Sequence, residues 1–280
     1  MNIETTLNNG TNYLKINNIK TSRIDSEILM SKAIKKEREY ILLNLDKEID
    51  EENIIYFYDL IKTRSKGKPI AYLVGKKEFW KYEFKISEKV LIPRPDTELI
   101  VEHALKIAKY KSNLKVLDIG VGSGCILLSI LKEKKSFFGI GIDVSKESIN
   151  ISRINSSKLG LENRIKFFKS DIDNFNYGKY DLIISNPPYI KKLDLKYLER
   201  DIFGFEPINS LNGGIDGLSE IRRVINKSSE LIKKNGRLVL EIGFNQKKDV
   251  KKILLRKGFY INEVIKDLAN NNRCIVSTKL

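Results

Sequence analysis

The 280-residue sequence holds one histidine, two cysteines, one tryptophan and six prolines. Each shortage closes off a class of chemistry. A Ser-His-Asp triad or a histidine-rich metal centre would have to use His103. That residue lies at helical spacing among the apolar positions of segment 97–110 and reads as an ordinary helix histidine, so no proton shuttle through histidine is expected. Cys125 and Cys274 are too few for a disulfide framework or a structural zinc site. No metal is expected, and the cysteine usage fits a reducing cytoplasm. No run approaches the roughly 18 apolar residues of a membrane-spanning helix. The opening segment lacks a basic stretch followed by an apolar one, so neither a signal peptide nor a membrane partner is expected.

What is present is ordinary folded-protein material: 41% hydrophobic and 31% charged residues, which excludes a wholly disordered chain. The length allows one large domain or two ordinary ones. A formal net charge of +15 could mean a polyanionic partner. The basic residues are spread out, as in Lys35–Lys36, Lys132–Lys135, Lys191–Lys192 and Lys251–Lys252. The chain is rich in Lys, Ile and Asn throughout, and no basic block is interleaved with aromatics. The charge therefore reads as a compositional bias, and direct nucleic-acid binding is not expected.

Residues 1–75 contain no convincing strand. Ile24, Ile28, Leu29 and Ala33, then Ile54, Ile55, Tyr58 and Ile61, recur at helical spacing and predict a small helical domain. Segment 79–86 alternates apolar and polar residues like a strand. Ser87–Lys89 is expected to turn it back into Val90–Ile92, giving a linking hairpin within 76–96. Asp96 is a plausible N-cap for a helix from Thr97 to about Tyr110. From Lys115 onward, short apolar runs alternate with helical patterns. Strands are expected at 116–119, 137–142, 165–168, 182–185 and 238–242, with helices at 125–134, 146–159, 218–234 and 246–257. Near-continuous apolar strands separated by helices imply a parallel sheet covered on both faces. Segments 259–265 and 273–278, close together, predict a terminal antiparallel hairpin on the sheet edge. Residues 97–280 thus read as an α/β domain of Rossmann-like type with a mostly parallel seven-stranded sheet.

Three motifs carry chemistry. In Asp118-Ile119-Gly120-Val121-Gly122-Ser123-Gly124 a strand runs through a glycine-rich turn into a helix, where a ligand can approach bare main chain. The spacing is neither the dinucleotide fingerprint nor a Walker loop. Asp143 ends the next strand. A carboxylate there can accept from both hydroxyls of a ribose or simply cap the following helix. Together, loop and acid point to an adenosine-containing ligand. The third motif, Asn186-Pro187-Pro188-Tyr189, follows an apolar strand. Proline extends the residue before it and donates no N–H. The segment offers rigid acceptors, the Asn186 side-chain oxygen and main-chain carbonyls, beside the flat face of Tyr189. That combination suits a planar NH₂ group.

These residues carry a resemblance. Asn-Pro-Pro-Tyr after the fourth strand is similar to the motif of S-adenosylmethionine-dependent methyltransferases acting on planar amides or exocyclic amines. The segments Gly67–Gly75, Glu78–Trp80, Leu91–Glu98, Phe205–Pro207, Gly213–Leu218 and Asp267–Leu268 with Arg273 resemble the release-factor glutamine N5-methyltransferases, the HemK/PrmC family, over essentially the whole chain. The resemblance implies a helical N-terminal domain (1–75) that recognises the substrate, a hairpin linker (76–96) and a methyltransferase domain (97–280). It implies S-adenosyl-L-methionine as methyl donor, S-adenosyl-L-homocysteine as product, and the glutamine of the Gly-Gly-Gln loop of bacterial class-1 release factors as acceptor. By matching position, Asp118, Gly120, Val121, Gly122, Ser123, Gly124, Asp143, Asp171, Ile172 and Asn186 hold the cofactor. Asn186, Pro187, Pro188 and Tyr189 hold the glutamine amide, with Asn186, Pro187 and Tyr189 as the catalytic set. Family members often place an aromatic residue after Ser-Asp, against the adenine. Here Ile172 follows Ser170–Asp171, leaving that contact to Asp171, Ile172 or a neighbour such as Phe175. A cytoplasmic monomer is expected.

Two other functions share parts of this pattern. A DNA adenine-N6 methyltransferase faces the same planar NH₂ and would suit the charge, but no target-recognition domain is evident and the adenine would have to leave its stack. A basic RNA-binding protein with a dead methyltransferase fold would not need the glycine loop, Asp143 and Asn186 together.

Overall fold

The computed structural model describes residues 1–280, which fall into two compact units: Met1–Lys76 with Glu199–Phe205, and Lys77–Leu198 with Glu206–Leu280. From the sequence, 97–280 reads as one uninterrupted domain. The difference is the short excursion Glu199–Phe205. No helix is long and apolar enough to cross a membrane.

The first unit is helical: α1 (Ile3–Ile16), α2 (Ser22–Ile34), α3 (Arg38–Leu43), α4 (Glu51–Ser65) and α5 (Ile70–Val74). Asn2 caps α1 by accepting from the Thr5 N–H at 2.9 Å, satisfying one of its orphan donors. Leu7, Leu14, Leu29, Met30, Phe57 and Ile61 form its core. The helices lie where the periodicity puts them, and Leu29, Ala33 and Ile61 face the core with Ile54 and Tyr58 packed against it. Ile24 and Ile55 are exposed, because an isoleucine-rich chain also places isoleucine on its wet side. The buried Arg64 guanidinium bonds Asp25 at 2.7 Å and Asp201 at 2.9 Å, which ties Glu199–Phe205 into this unit.

In the second unit β1 (Lys76–Phe79, beginning at the unit boundary) and β2 (Tyr82–Lys85) form a two-stranded sheet. The hairpin turns at Trp80–Lys81, not at Ser87–Lys89, and Val90–Ile92 is not a strand. Trp80 takes a left-handed φ of 59°, rare for a bulky residue. Its N–H donates to Glu98 and its indole N–H to Glu133. The helix α6 (Glu98–Ile107) is preceded by a 3₁₀ turn, Pro95–Thr97, and Asp96 makes no cap. It pairs with Arg273 instead. His103 lies in α6, its Nδ1 3.0 Å from the Leu99 carbonyl oxygen.

The chain then alternates through β3 (Lys115–Ile119), α7 (Cys125–Glu133), β4 (Phe138–Asp143), α8 (Lys146–Lys158), β5 (Ile165–Lys169), β6 (Tyr180–Ser185), α9 (Arg200–Phe203, in the helical unit), α10 (Ser219–Leu231), β7 (Ile232–Glu241), α11 (Lys247–Arg256), β8 (Phe259–Lys266) and β9 (Asn272–Lys279). The strand order is β5-β4-β3-β6-β7-β9-β8. β3 to β7 pair in parallel, and β9 runs antiparallel to both β7 and β8. Alternate residues of each strand feed opposite faces. Val116, Leu182 and Val239 pack with Ile100 and Val101 of α6 and with Leu127 of α7. Leu117, Ile183 and Leu238 pack with Ile221 and Ile225 of α10 and with Val250 of α11. Double-sided burial is why these strands read as continuous apolar runs. The order reverses on either side of β3, which opens a crevice beyond the carboxyl ends of β3 and β6, where open α/β sheets bind ligands.

Candidate functional site

A cavity of about 880 Å³ occupies that crevice. Its wall brings together Gly120, Val121, Gly122, Ser123, Asp143, Asp171, Ile172, Asn186, Pro187 and Pro188, all candidates from the sequence. Gly124, Asp118, Tyr189 and Phe175 are not in it.

The glycine loop is held from both sides. The N–H groups of Gly120 and Val121 donate to the Ile142 carbonyl, at 2.9 Å each. From α8, the Ser152 hydroxyl donates to the Gly122 carbonyl and the Asn155 amide to that of Ser123. Gly122 has φ 54°, and no atom lies within 4 Å of where a Cβ would stand. The loop therefore exposes bare backbone to open space, as a ligand cradle requires. Gly122→Ala should fold, with about 1 kcal/mol of left-handed strain, and should weaken S-adenosylhomocysteine binding by placing a methyl group in the cradle. Calorimetric titration checks it; unchanged affinity would mean the ligand does not cross this backbone.

Asp143 closes the loop. Its Oδ2 accepts from the Gly122 N–H at 3.0 Å and its Oδ1 from the Ser145 N–H at 2.8 Å. Burial raises its pKa against these hydrogen bonds. The helix α8 is capped by Ser145, whose Oγ accepts from Ser148. Asp143 is thus no simple cap: its carboxylate ties the glycine loop to the start of α8 and also lines the cavity.

Asp118 is different. It shares a strand face with Val116, beneath the first turn of α7, and is wholly buried with no hydrogen-bond partner on either oxygen. Burial and the Asp143 charge push it up to about 8, opposed by the nearby Leu127 N–H. It lies under the loop and does not touch the cavity. Burial likewise pushes the Cys125 thiol up to about 12, so it is no ready nucleophile.

On the opposite wall Ile172 is buried in a 3₁₀ turn. Asp171 pairs with Arg223, which holds its carboxyl below the usual range. Arg223 also reaches Asp173 and Glu220. Phe175 packs into the core against Phe168, whereas Ile172 lines the cavity.

The Asn-Pro-Pro-Tyr segment leaves β6 at the mouth of the crevice. The Asn186 Nδ2 donates to Thr97 Oγ1 at 3.0 Å. Beyond it the backbone is clamped. Gln246 donates to the carbonyls of Tyr189 and Gly217, and Ile190 bridges to Asn212. Gly213 comes so close that a Cβ there would meet the Tyr189 Cα at 2.8 Å. Tyr189 does not flank the cavity. Its ring packs on the core and its O–H donates to Glu241 Oε1 at 3.3 Å.

Sequence reasoning missed Thr97, Glu241 and Arg223. Glu241 had a signal: it is the one acid in the apolar run 238–242, at the carboxyl end of a parallel strand. Thr97 read only as a helix start, and Arg223 only as part of the expected helix 218–234.

Known proteins match both parts of the chain. Residues 5–75 match the PrmC N-terminal domain and residues 110–276 a methyltransferase domain. The chain is 36% identical to the release factor glutamine methyltransferase of Clostridium acetobutylicum, covering 100% of this chain and 99% of that protein. It is 37% identical to that of Buchnera aphidicola subsp. Acyrthosiphon pisum, over 95% of each. A methyltransferase from Pyrococcus furiosus, 17% identical, shares the fold with a TM-score of 0.52 over 70% of this chain and 89% of that one. A helical N-terminal domain, a methyltransferase sheet and full-length similarity converge on one assignment: the chain belongs to the release factor glutamine methyltransferases.

Proposed function

We propose that the protein transfers a methyl group from S-adenosyl-L-methionine to the side-chain amide nitrogen of the glutamine in the Gly-Gly-Gln loop of bacterial class-1 release factors. The observation that carries this reading is the Asn186 amide, anchored through its nitrogen to Thr97 in the wall that also holds the glycine loop and Asp143. The bare backbone at Gly120–Gly122, the two Asp143 oxygens and the Ile172 wall fit the methionine, ribose and adenine parts of the donor respectively. When bound, the donor supplies an electrophilic methyl group on a sulfonium.

An amide nitrogen is a weak nucleophile because its lone pair is delocalised into the carbonyl. Asn186 Oδ1 and the Pro187 carbonyl accept the two N–H groups and aim the nitrogen at the methyl. Positive charge moves onto that nitrogen during transfer, acceptors fixed on its hydrogens stabilise it, and one of those hydrogens then leaves as a proton to solvent to give the neutral N-methyl amide. Tyr189, its hydroxyl engaged by Glu241, braces the Asn-Pro-Pro segment and does not face the amide. Methylation of purified release factors, wild type and Gln→Ala in the Gly-Gly-Gln loop, tests the assignment. Transfer to the Ala variant, or to DNA, would refute it.

The helical unit is proposed to recognise the body of the release factor. A chain beginning at Lys77 is expected to bind S-adenosylhomocysteine but to methylate the intact factor poorly. Full activity on the intact factor would overturn this division of labour.

A further inference from the structure

We propose that Thr97 is a positioning residue that fixes which end of the Asn186 amide faces the cavity, and that the Glu241 carboxylate sets the direction of that hydrogen bond. The inference rests on the reading of Asn186 Oδ1 as acceptor for the target N–H.

An asparagine side chain is an acceptor at one end and a donor at the other. Only the oxygen can receive a hydrogen from the glutamine amide, so Asn186 works in one of its two orientations. With Nδ2 on Thr97 Oγ1, the oxygen is left for the cavity. Thr97 cannot make that choice alone, because a hydroxyl both donates and accepts. Something must take its proton. Glu241 ends β7 and is 2% exposed. The Thr97 hydroxyl lies against its carboxylate and favours the ionised form. Its Oε1 accepts from Tyr189, and its Oε2 has no hydrogen-bond partner. An ionised carboxylate only accepts. It therefore turns the Thr97 proton toward itself and the Thr97 lone pair toward Asn186. The relay runs from the Asn186 N–H to Thr97, the bond the structure holds, with the Thr97 O–H directed at the unpartnered Glu241 Oε2 beside it.

A protonated Glu241 would undo this polarity. It could donate to Thr97, Thr97 could then donate to Asn186, and the amide would turn its oxygen away from the cavity. Thr97 and Tyr189 face the carboxylate with hydroxyls, and Arg273 and Cys274 lie beside it on β9, with Asp96 ahead of α6. Arg94 acts on Tyr189 from the segment before α6. Burial outweighs Arg273 and the hydroxyls and pushes Glu241 up to about 7. The competent polarity is thus present above that pH and is lost as pH falls through it.

Single-turnover transfer from labelled S-adenosylmethionine to a purified class-1 release factor, at saturating donor and across pH, tests the relay. Thr97→Val keeps the shape and removes the acceptor. Its transfer rate is expected to fall roughly tenfold, the worth of one directed hydrogen bond, with S-adenosylhomocysteine affinity unchanged. Thr97→Ser restores the hydroxyl and should recover the rate. Glu241→Gln cannot ionise and should flatten the acid limb of the profile. Wild-type rates in Thr97→Val, no recovery in Thr97→Ser, or an unaltered acid limb in Glu241→Gln would each overturn the proposal. Asn186→Ala separates the two readings. If it is slow while Thr97→Val is not, the relay alone fails; if Asn186→Ala is also at wild-type rate, the acceptor role of Asn186 fails.

Discussion

Asn186→Ala is expected to lower the single-turnover methyl-transfer rate by about 10²–10³, the usual worth of one preorganised polar contact in a transition state. The size follows from where the side chain stands. Its nitrogen is committed to Thr97 at 3.0 Å, and prolines at 187 and 188 restrict the backbone just beyond it. The oxygen is therefore held in place before substrate arrives, and alanine removes an acceptor that costs no reorganisation. The fold should be little affected, because Asn186 follows β6 and its neighbours are clamped independently by Gln246 and the Ile190–Asn212 bridge. Cofactor affinity should fall less than the rate, since most proposed cofactor contacts lie on the glycine loop and Asp143. Asn186→Asp keeps an acceptor but loses the N–H that bonds Thr97, so its activity is expected between Ala and wild type. Transfer within about threefold of wild type in Asn186→Ala, well short of the expected loss, would remove the motif from the reaction.

The sheet was legible because burial on both faces leaves an unmistakable trace. Val116-Leu117, Ile183-Ile184 and Leu238-Val239-Leu240 are apolar at consecutive positions, each residue feeding one of two cores. The terminal hairpin was legible from spacing alone, since too little chain separates β8 from β9 for a helix. Local punctuation was less legible. The alternation of 79–86 runs through its own turn, and nothing in the sequence says that Trp80 adopts a left-handed conformation. The resemblance implies Asp118 as a cofactor residue. Strand parity places it with Val116, buried beneath α7 and outside the cavity wall. Tyr189 looked like a flat face for the amide, and the acid that draws its hydroxyl away is 52 residues along the chain. The Thr97–Asn186 bond spans 89 residues. Such pairings are set by which strand ends meet at the crevice, and no local pattern encodes them.

Asp143→Ala is expected to weaken S-adenosylhomocysteine binding by roughly 10- to 140-fold, the equivalent of losing a charge-assisted pair worth about 1.5–3 kcal/mol. An ionised carboxylate offers about four lone-pair positions. In Asp143 one on each oxygen is taken, by the N–H groups of Gly122 and Ser145. The Ser148 side chain and the Val144 N–H also act on this carboxylate, and the ribose diol is proposed to take the positions that remain. Those two N–H bonds also hold the carboxylate in register with the glycine loop, so alanine removes the ribose contact and frees the loop together. Asp143→Asn should be nearly as weak, because its NH₂ group must face one of the two N–H donors. Burial raises the Asp143 pKa, so affinity should decline on acidification before an ordinary exposed carboxylate would titrate. At saturating donor the transfer rate of Asp143→Ala should recover toward wild type, since the reacting atoms lie with Asn186. Titration calorimetry measures the first effect and single-turnover transfer the second. An unchanged dissociation constant would remove Asp143 from the ribose site, and a transfer rate that stayed low at saturation would move it into the chemistry.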